Sequence, residues 1–279
     1  MKTKLTYLLC ILYGCSFRVM AQSTPQPPLL DLDAVQGGIY LISDKYNGWD
    51  AADYAEHSTD GSTGNVGLPP GDFRSYGTNG GFVHNLYRLN LCFTPIDRQT
   101  AQSRRTRELR VGFSYFSAIE NSIQYYSDEQ GENDTLFHTD YFYHVSSDEL
   151  SVNGAYLFKT DPSNGIAVFT GLGAGVGIAL QSKIYASYYF SYEDVNPDTI
   201  CHCPEDYSIV PIENETYESN ATRPVSLSGY IPFGIEFRVL RNWMVSLEGN
   251  AGLHWQVYMH AANALRVQYS IGLGLKYAW

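Results

Sequence analysis

The chain has 279 residues, a formal net charge of −11, 14% aromatic residues with 23 Tyr, only 17% charged residues, and 25 Gly. So acidic a balance excludes a nucleic-acid partner held through its phosphates, and the aromatic and glycine content points to strands and turns rather than helices. Past residue 22 there is no run of about 18 apolar residues, which excludes a transmembrane helix.

Residues 1–21 read as a secretory signal, with Lys2 and Lys4 as the charged start, Leu5 to Tyr13 as the apolar stretch and Val19-Met20-Ala21 as the cleavage site before Gln22. A lipoprotein reading competes, because Leu12-Tyr13-Gly14-Cys15 resembles a lipobox, although Tyr13 is bulky where a small residue is usual. An uncleaved anchor fits less well, since the apolar run is too short to span. Loss of Lys2, Lys4 and Arg18 takes the net charge from −11 to −14, and loss of Cys10 and Cys15 leaves Cys92, Cys201 and Cys203. An odd number of cysteines argues against a full disulfide framework. Residues 22–32, with Thr24-Pro-Gln-Pro-Pro28 inside them, form a stiff linker, and residues 33–279 read as one domain.

Within that domain the sequence predicts strands of period two, apolar on one face. A weak first strand lies near 34–43. Stronger ones follow at 81–94 (Tyr87, Leu89, Leu91, Phe93), 107–119 (Leu109, Val111, Phe113, Tyr115) and 148–159 (Leu150, Val152, Tyr156, Phe158). Residues 166–180 set Ile166, Val168, Leu172, Val176, Ile178 and Leu180 against Gly171, Gly173, Gly175 and Gly177. Residues 225–239 and 243–257 alternate in the same way, and from Leu265 to Trp279 every odd position is apolar or aromatic. These last four segments exceed the roughly 9–11 residues that a spanning strand needs. A soluble sandwich also alternates, but over shorter strands.

The expected fold is therefore all-β, an eight-stranded antiparallel transmembrane β-barrel with long extracellular loops at 44–80, 120–147 and 183–222. Turns at 160–165 and 240–242 are short, which puts them and both termini in the periplasm. The three long loops hold 20 acids and three bases, with Tyr125, Tyr126, Tyr141, Tyr143, Tyr188, Tyr189, Tyr192, Tyr207 and Tyr217 among them.

With these residues on the page, the sequence resembles the small outer-membrane barrels of the OmpA/OmpX-like, porin-family type over nearly its whole mature length. The ending Leu273-Gly-Leu275-Lys-Tyr277-Ala-Trp279 looks like their C-terminal assembly signal, and the resemblance implies residence in the cell outer membrane and insertion by the barrel-assembly machinery. The chain differs from two-domain members by ending at Trp279, so no peptidoglycan-binding domain is expected to follow.

Candidate sites are few. A barrel of eight strands is filled by its own side chains, so Glu236, Arg238, Glu248 and Lys276 are expected to neutralise one another inside it, as packing rather than as a regulated gate. A register closed at 240–242 sets Ser228 opposite His254, the pair that acyl transfer would need, but no acid is placed to orient the histidine and catalysis is not expected. The glycines at 171–177 make room for facing aromatic rings rather than forming a phosphate loop. Cys201-His202-Cys203 offers metal-ligand chemistry, although three adjacent residues rarely complete a site, and a local disulfide or free thiols fit better. Asp134-Thr135-Leu136 and Asp198-Thr199-Ile200 look like acceptor triplets for bacterial O-glycosylation. No cofactor is expected. The expected role is a non-enzymatic surface barrel that contacts outer-membrane lipid and binds or docks through its acidic loops, with a protein partner or divalent cations there, or serves as a subunit of a larger outer-membrane complex. A narrow channel or transport accessory is the alternative, and a barrel enzyme acting on lipid or peptide a third reading.

Overall fold

A computed structural model describes residues 30–46, 49–59, 63–69, 74–76, 83–95, 106–131, 136–161, 165–194 and 208–279. The expected signal at 1–21, most of the expected linker, Cys201-His202-Cys203 and the triplet at 198–200 lie outside these, as do Asp134 and Thr135. In chain order the elements are β1 (Leu30–Tyr46), α1 (Ala51–His57), β2 (Arg74–Tyr76), β3 (Val83–Pro95), β4 (Arg107–Gln130), β5 (Leu136–Lys159), β6 (Ile166–Asp194), β7 (Ser208–Asn220), β8 (Val225–Arg238), β9 (Trp243–Val257) and β10 (Ala264–Ala278).

Eight of the strands form a closed antiparallel ring in the order β4-β3-β1-β10-β9-β8-β6-β5, which the β4–β5 pairing completes. The seam joins the first and last strands, from Ala34 beside Ala278 to Tyr46 beside Arg266. Closure matters because a bilayer offers no water to an unpaired strand edge. The packing is inverted relative to a soluble protein. Ile39, Leu172 and Leu273 are 58%, 68% and 62% exposed on the outer wall, while Gln36, Glu248 and Arg266 are 0%, 2% and 1% exposed inside. At the lower end, Val239 N–H donates to the Trp243 carbonyl at 3.0 Å and closes the β8–β9 hairpin.

Two features depart from the sequence reading. First, β1 begins at Leu30, so the end of the expected linker already pairs with β3, Leu30 lying opposite Pro95. Second, much of what reads as loop is strand. β4, β5 and β6 run on to Gln130, back to Leu136 and on to Asp194, and β7 adds to β6 while β2 adds to β4. The reason lies in two bulges at one level. An extra residue enters β4 between Phe116 and Ile119, and another enters β6 where Asp148 pairs Gln181 but Glu149 pairs Ala179. Each shifts which parity faces inward. Above them the outer face no longer needs to be apolar, so the hydrogen-bonded ladder continues where the apolar alternation stops. Ala118, in the β4 bulge, takes φ 53° and its N–H donates to Asp148 Oδ1 at 2.9 Å.

Candidate functional site

Three levels of side chains fill the lumen. The lowest is a charge network. Arg110 donates from Nε to Glu108 at 2.6 Å, from Nη1 to Glu248 at 2.7 Å and from Nη2 to Glu236 at 2.8 Å. Lys159 reaches Glu108 at 2.9 Å and also Glu236, while Lys276 pairs with Glu108 and lies 3.5 Å from Glu236. Tyr40 and Gln36 donate to Glu248 at 2.7 and 2.5 Å. Three carboxylates thus meet three cations, and every one of the six side chains is at most 8% exposed. The arrangement satisfies the demand that buried charge be paired.

Of the four residues singled out from sequence, Glu236, Glu248 and Lys276 meet here, but Arg238 does not. It shares the inward parity of Glu236, yet it is the last residue of β8 and is exposed beyond the rim. Arg110 takes the central position. Arg110, Glu108 and Lys159 were invisible to a register argument confined to one hairpin, because they come from β4 and β5 across the lumen. Their signal in sequence is charged residues at inward positions of long spanning strands.

The middle level is polar. Ser228 lies opposite His254 as the register implies, and the structure adds an acid, Glu149 Oε2, 3.3 Å from His254 Nε2. Among the described residues neither ring nitrogen of His254 has a hydrogen-bond partner, and both His254 and Glu149 are 1% exposed. Two glycines of the 171–177 run make room for larger groups. A Cβ at Gly173 would sit 2.4 Å from the Tyr230 ring, and one at Gly177 would sit 2.4 Å from Glu149 Oε1.

The upper level is an apolar cap. Asp50 and Asp53 form a capping box at the start of α1, with bonds of 3.0 and 2.9 Å. α1 buries Ala51, Tyr54 and His57. Trp49 stacks on His57 at 3.8 Å and meets Tyr258 edge-on at 5.5 Å, and the cluster extends to Ile123, Tyr143, Val145 and Ile184 on the inner face of the raised strands. His57 places its ring nitrogens 2.5 Å from the Asp53 carbonyl and 3.0 Å from the Ala262 carbonyl, which ties α1 to the β9–β10 connection. Burial holds the His57 pKa below its ordinary 6.5, against the pull of those two carbonyls, and burial also raises the phenols of Tyr54, Tyr143 and Tyr258.

On the outer face of the raised strands, Phe142 stacks with His144 at 6.0 Å and meets Tyr185 at 6.3 Å. Gln124 donates to Asp140 at 3.2 Å beside them, and Lys183 pairs with Glu218 in the open at 2.5 Å. At the opposite end, Leu273, Leu275, Tyr277 and Trp279 all face outward on or just past β10. Tyr277 packs edge-on against Trp243 at 5.0 Å, and the Trp279 indole donates to the Leu32 carbonyl at 3.0 Å.

A closed ring with an apolar wall, a charged and hydrogen-bonded lumen and a sheet raised above one rim decides where the molecule resides. The chain is an outer-membrane β-barrel. No protein-family model and no curated protein matches it. Among solved structures it is similar to Neisserial surface protein A (10% identity, 90% of this chain and 99% of that one, TM-score 0.37). It is also similar to Ail of Yersinia pestis (10%, 88% and 100%, TM-score 0.29) and to OprG of Pseudomonas aeruginosa (9%, 89% and 96%, TM-score 0.32). At these identities the likeness is one of fold, and nothing about ligand or partner passes from them to this barrel.

Proposed function

We propose that this barrel is a non-enzymatic surface receptor or docking subunit whose working surface is the raised extracellular sheet. The observation that carries the reading is the outer face of β4–β7 above the bulges. Phe142, His144 and Tyr185 form an aromatic patch there, flanked by Gln124, Asp140 and the Lys183–Glu218 pair. Rings with polar neighbours on a rigid sheet suit recognition, because their contact area is fixed before binding. The cap makes the sheet rigid by covering its inner face with α1 and Trp49. A partner with a basic patch, or divalent cations between two acidic surfaces, fits the 20 acids and three bases of segments 44–80, 120–147 and 183–222.

Co-purification from native membranes tests the reading. Phe142→Ser together with Tyr185→Ser is expected to lose the partner while the barrel still assembles and shifts on gels with heating. The same set of co-purifying proteins from both forms would defeat it. The channel alternative predicts steady ion conductance in a planar bilayer, which the charge network and the cap both oppose.

A further inference from the structure

Between the charge network and the cap lies an internal chamber of about 30 Å³, lined by Arg88, Ser114, Ser228, Tyr230 and Asn250 among others. Outside the network the lumen holds Arg88 together with Glu149 and Arg266, the last two 1% exposed. The six charges of the network balance among themselves, yet no carboxylate among the described residues pairs with Arg88. Arg88 is instead held by neutral groups. Its Nε donates to Ser114 Oγ at 3.1 Å, and its Cζ sits 5.1 Å from the Tyr40 ring centroid and 5.3 Å from that of Tyr230. Glu248, the acid that Tyr40 touches, is already taken up by Arg110, Gln36 and the Tyr40 hydroxyl. The Arg88 guanidinium thus has one hydroxyl and two rings as its neighbours. Arg88 is half-buried, and ring faces compensate such a cation only in part.

The chamber wall carries a second mark. Asn250 is 7% exposed and donates from Nδ2 to Ser270 Oγ at 2.9 Å, while its Oδ1 accepts nothing. Carboxamide nitrogen and oxygen exchange places at no cost in shape. Turned over, Asn250 accepts from the Ser270 hydroxyl and presents an N–H to the chamber, so both ends are used if the chamber holds an acceptor. Ser228 adds a hydroxyl that can donate to the same point.

We propose that this chamber is an anion site, in which one monatomic anion of the chloride class neutralises Arg88 and accepts from Asn250 and Ser228. The volume sets the size class, since about 30 Å³ of this kind admits one or two water-sized particles and no larger oxyanion.

The test uses the full mature barrel folded in detergent, with chloride and bromide as probes. Unfolding midpoints in urea are read in sodium chloride and in sodium gluconate at equal ionic strength. The midpoint should rise with the logarithm of chloride concentration, as it does for a ligand bound only by the folded state, and gluconate should give no rise. Arg88→Gln should abolish the chloride response. Asn250→Asp should abolish it too, because it puts a carboxylate in the wall of the same chamber, and this variant decides the matter if Arg88→Gln fails to fold. Lys183→Gln, on the outer surface, should keep the full response. Crystals soaked in bromide should show an anomalous peak in the chamber of the native barrel and none in Asn250→Asp. Equal midpoints in chloride and gluconate with no bromide peak would overturn the proposal, as would a chloride response that survives in either interior variant.

Discussion

Replacing Arg110 by Met tests whether the lower network holds the barrel together. Arg110 makes three charge-assisted bonds, one to each of Glu108, Glu236 and Glu248, from a position 5% exposed. Met occupies similar space, so little of the effect comes from a cavity. What changes is balance, for three carboxylates then face only Lys159 and Lys276. Breaking a buried pair by removing one partner costs about 3–5 kcal/mol, because the other charge stays behind unpaired. Urea unfolding in phospholipid vesicles reads the loss directly. The double variant Arg110→Met with Glu248→Gln is the decisive arm. It leaves Glu108 and Glu236 against two lysines, and residue 248 still accepts from Gln36 with its one oxygen while its amide N–H donates to the Tyr40 hydroxyl. It should therefore recover about 1–3 kcal/mol of the single variant's loss, the coupling expected of residues in one network. Lys183→Met breaks an exposed pair and should cost no more than about 1 kcal/mol. A loss below about 1 kcal/mol for Arg110→Met, or no recovery in the double variant, would refute the account of a balanced and obligatory network.

Further outcomes follow from the same geometry. Ala118 sits at φ 53°, where a Cβ is strained, so Ala118→Gly should stabilise the barrel by about 1 kcal/mol in the same urea assay. His57 has a folded-state pKa below 6.5, so the unfolded cap binds the proton more tightly. Its stabilising contribution is then complete above pH 6.5 and is lost as pH falls below that value. Relative to the intrinsic rate, hydrogen exchange over residues 51–57 should therefore quicken from pH 7 to pH 5, and His57→Gln should remove this loss of protection. Deleting Tyr277 to Trp279 removes the ring against Trp243 and the indole bond to Leu32, and should abolish outer-membrane assembly as read by heat-dependent gel migration.

The spanning part of this fold is legible in the sequence because its physics is one-dimensional. A lipid-facing strand must alternate, and Leu265 to Trp279 or Ile166 to Leu180 do so with few breaks. Above the bulges that rule lapses. The stretch Phe137-His-Thr-Asp-Tyr-Phe-Tyr-His144 carries aromatic and polar residues on both faces, so the continuation of β5 left no apolar stripe to follow, and the parity shifts at Ala118 and Leu180 hid β4 and β6 as well. The lumen was half legible for a different reason. Register within the β8–β9 hairpin places Glu236 and Glu248 on one wall, but which residue crosses from the far side depends on ring closure and stagger. Inward parity marks Arg110 and Arg238 alike, and only ring closure brings Arg110 to the centre and leaves Arg238 beyond the rim.

The raised strands also set a height. From Gln181 to Asp194, β6 continues beyond its apolar stretch by 14 residues, which at about 3.3 Å each is roughly 45 Å of strand and, at the tilt usual for such barrels, roughly 30 Å of elevation. The upper end of β6, at Asp194, therefore stands well above the lipid headgroups. A soluble molecule arriving from outside meets it before it meets the membrane, whereas a neighbour embedded in the same bilayer must carry an ectodomain of comparable reach to touch it.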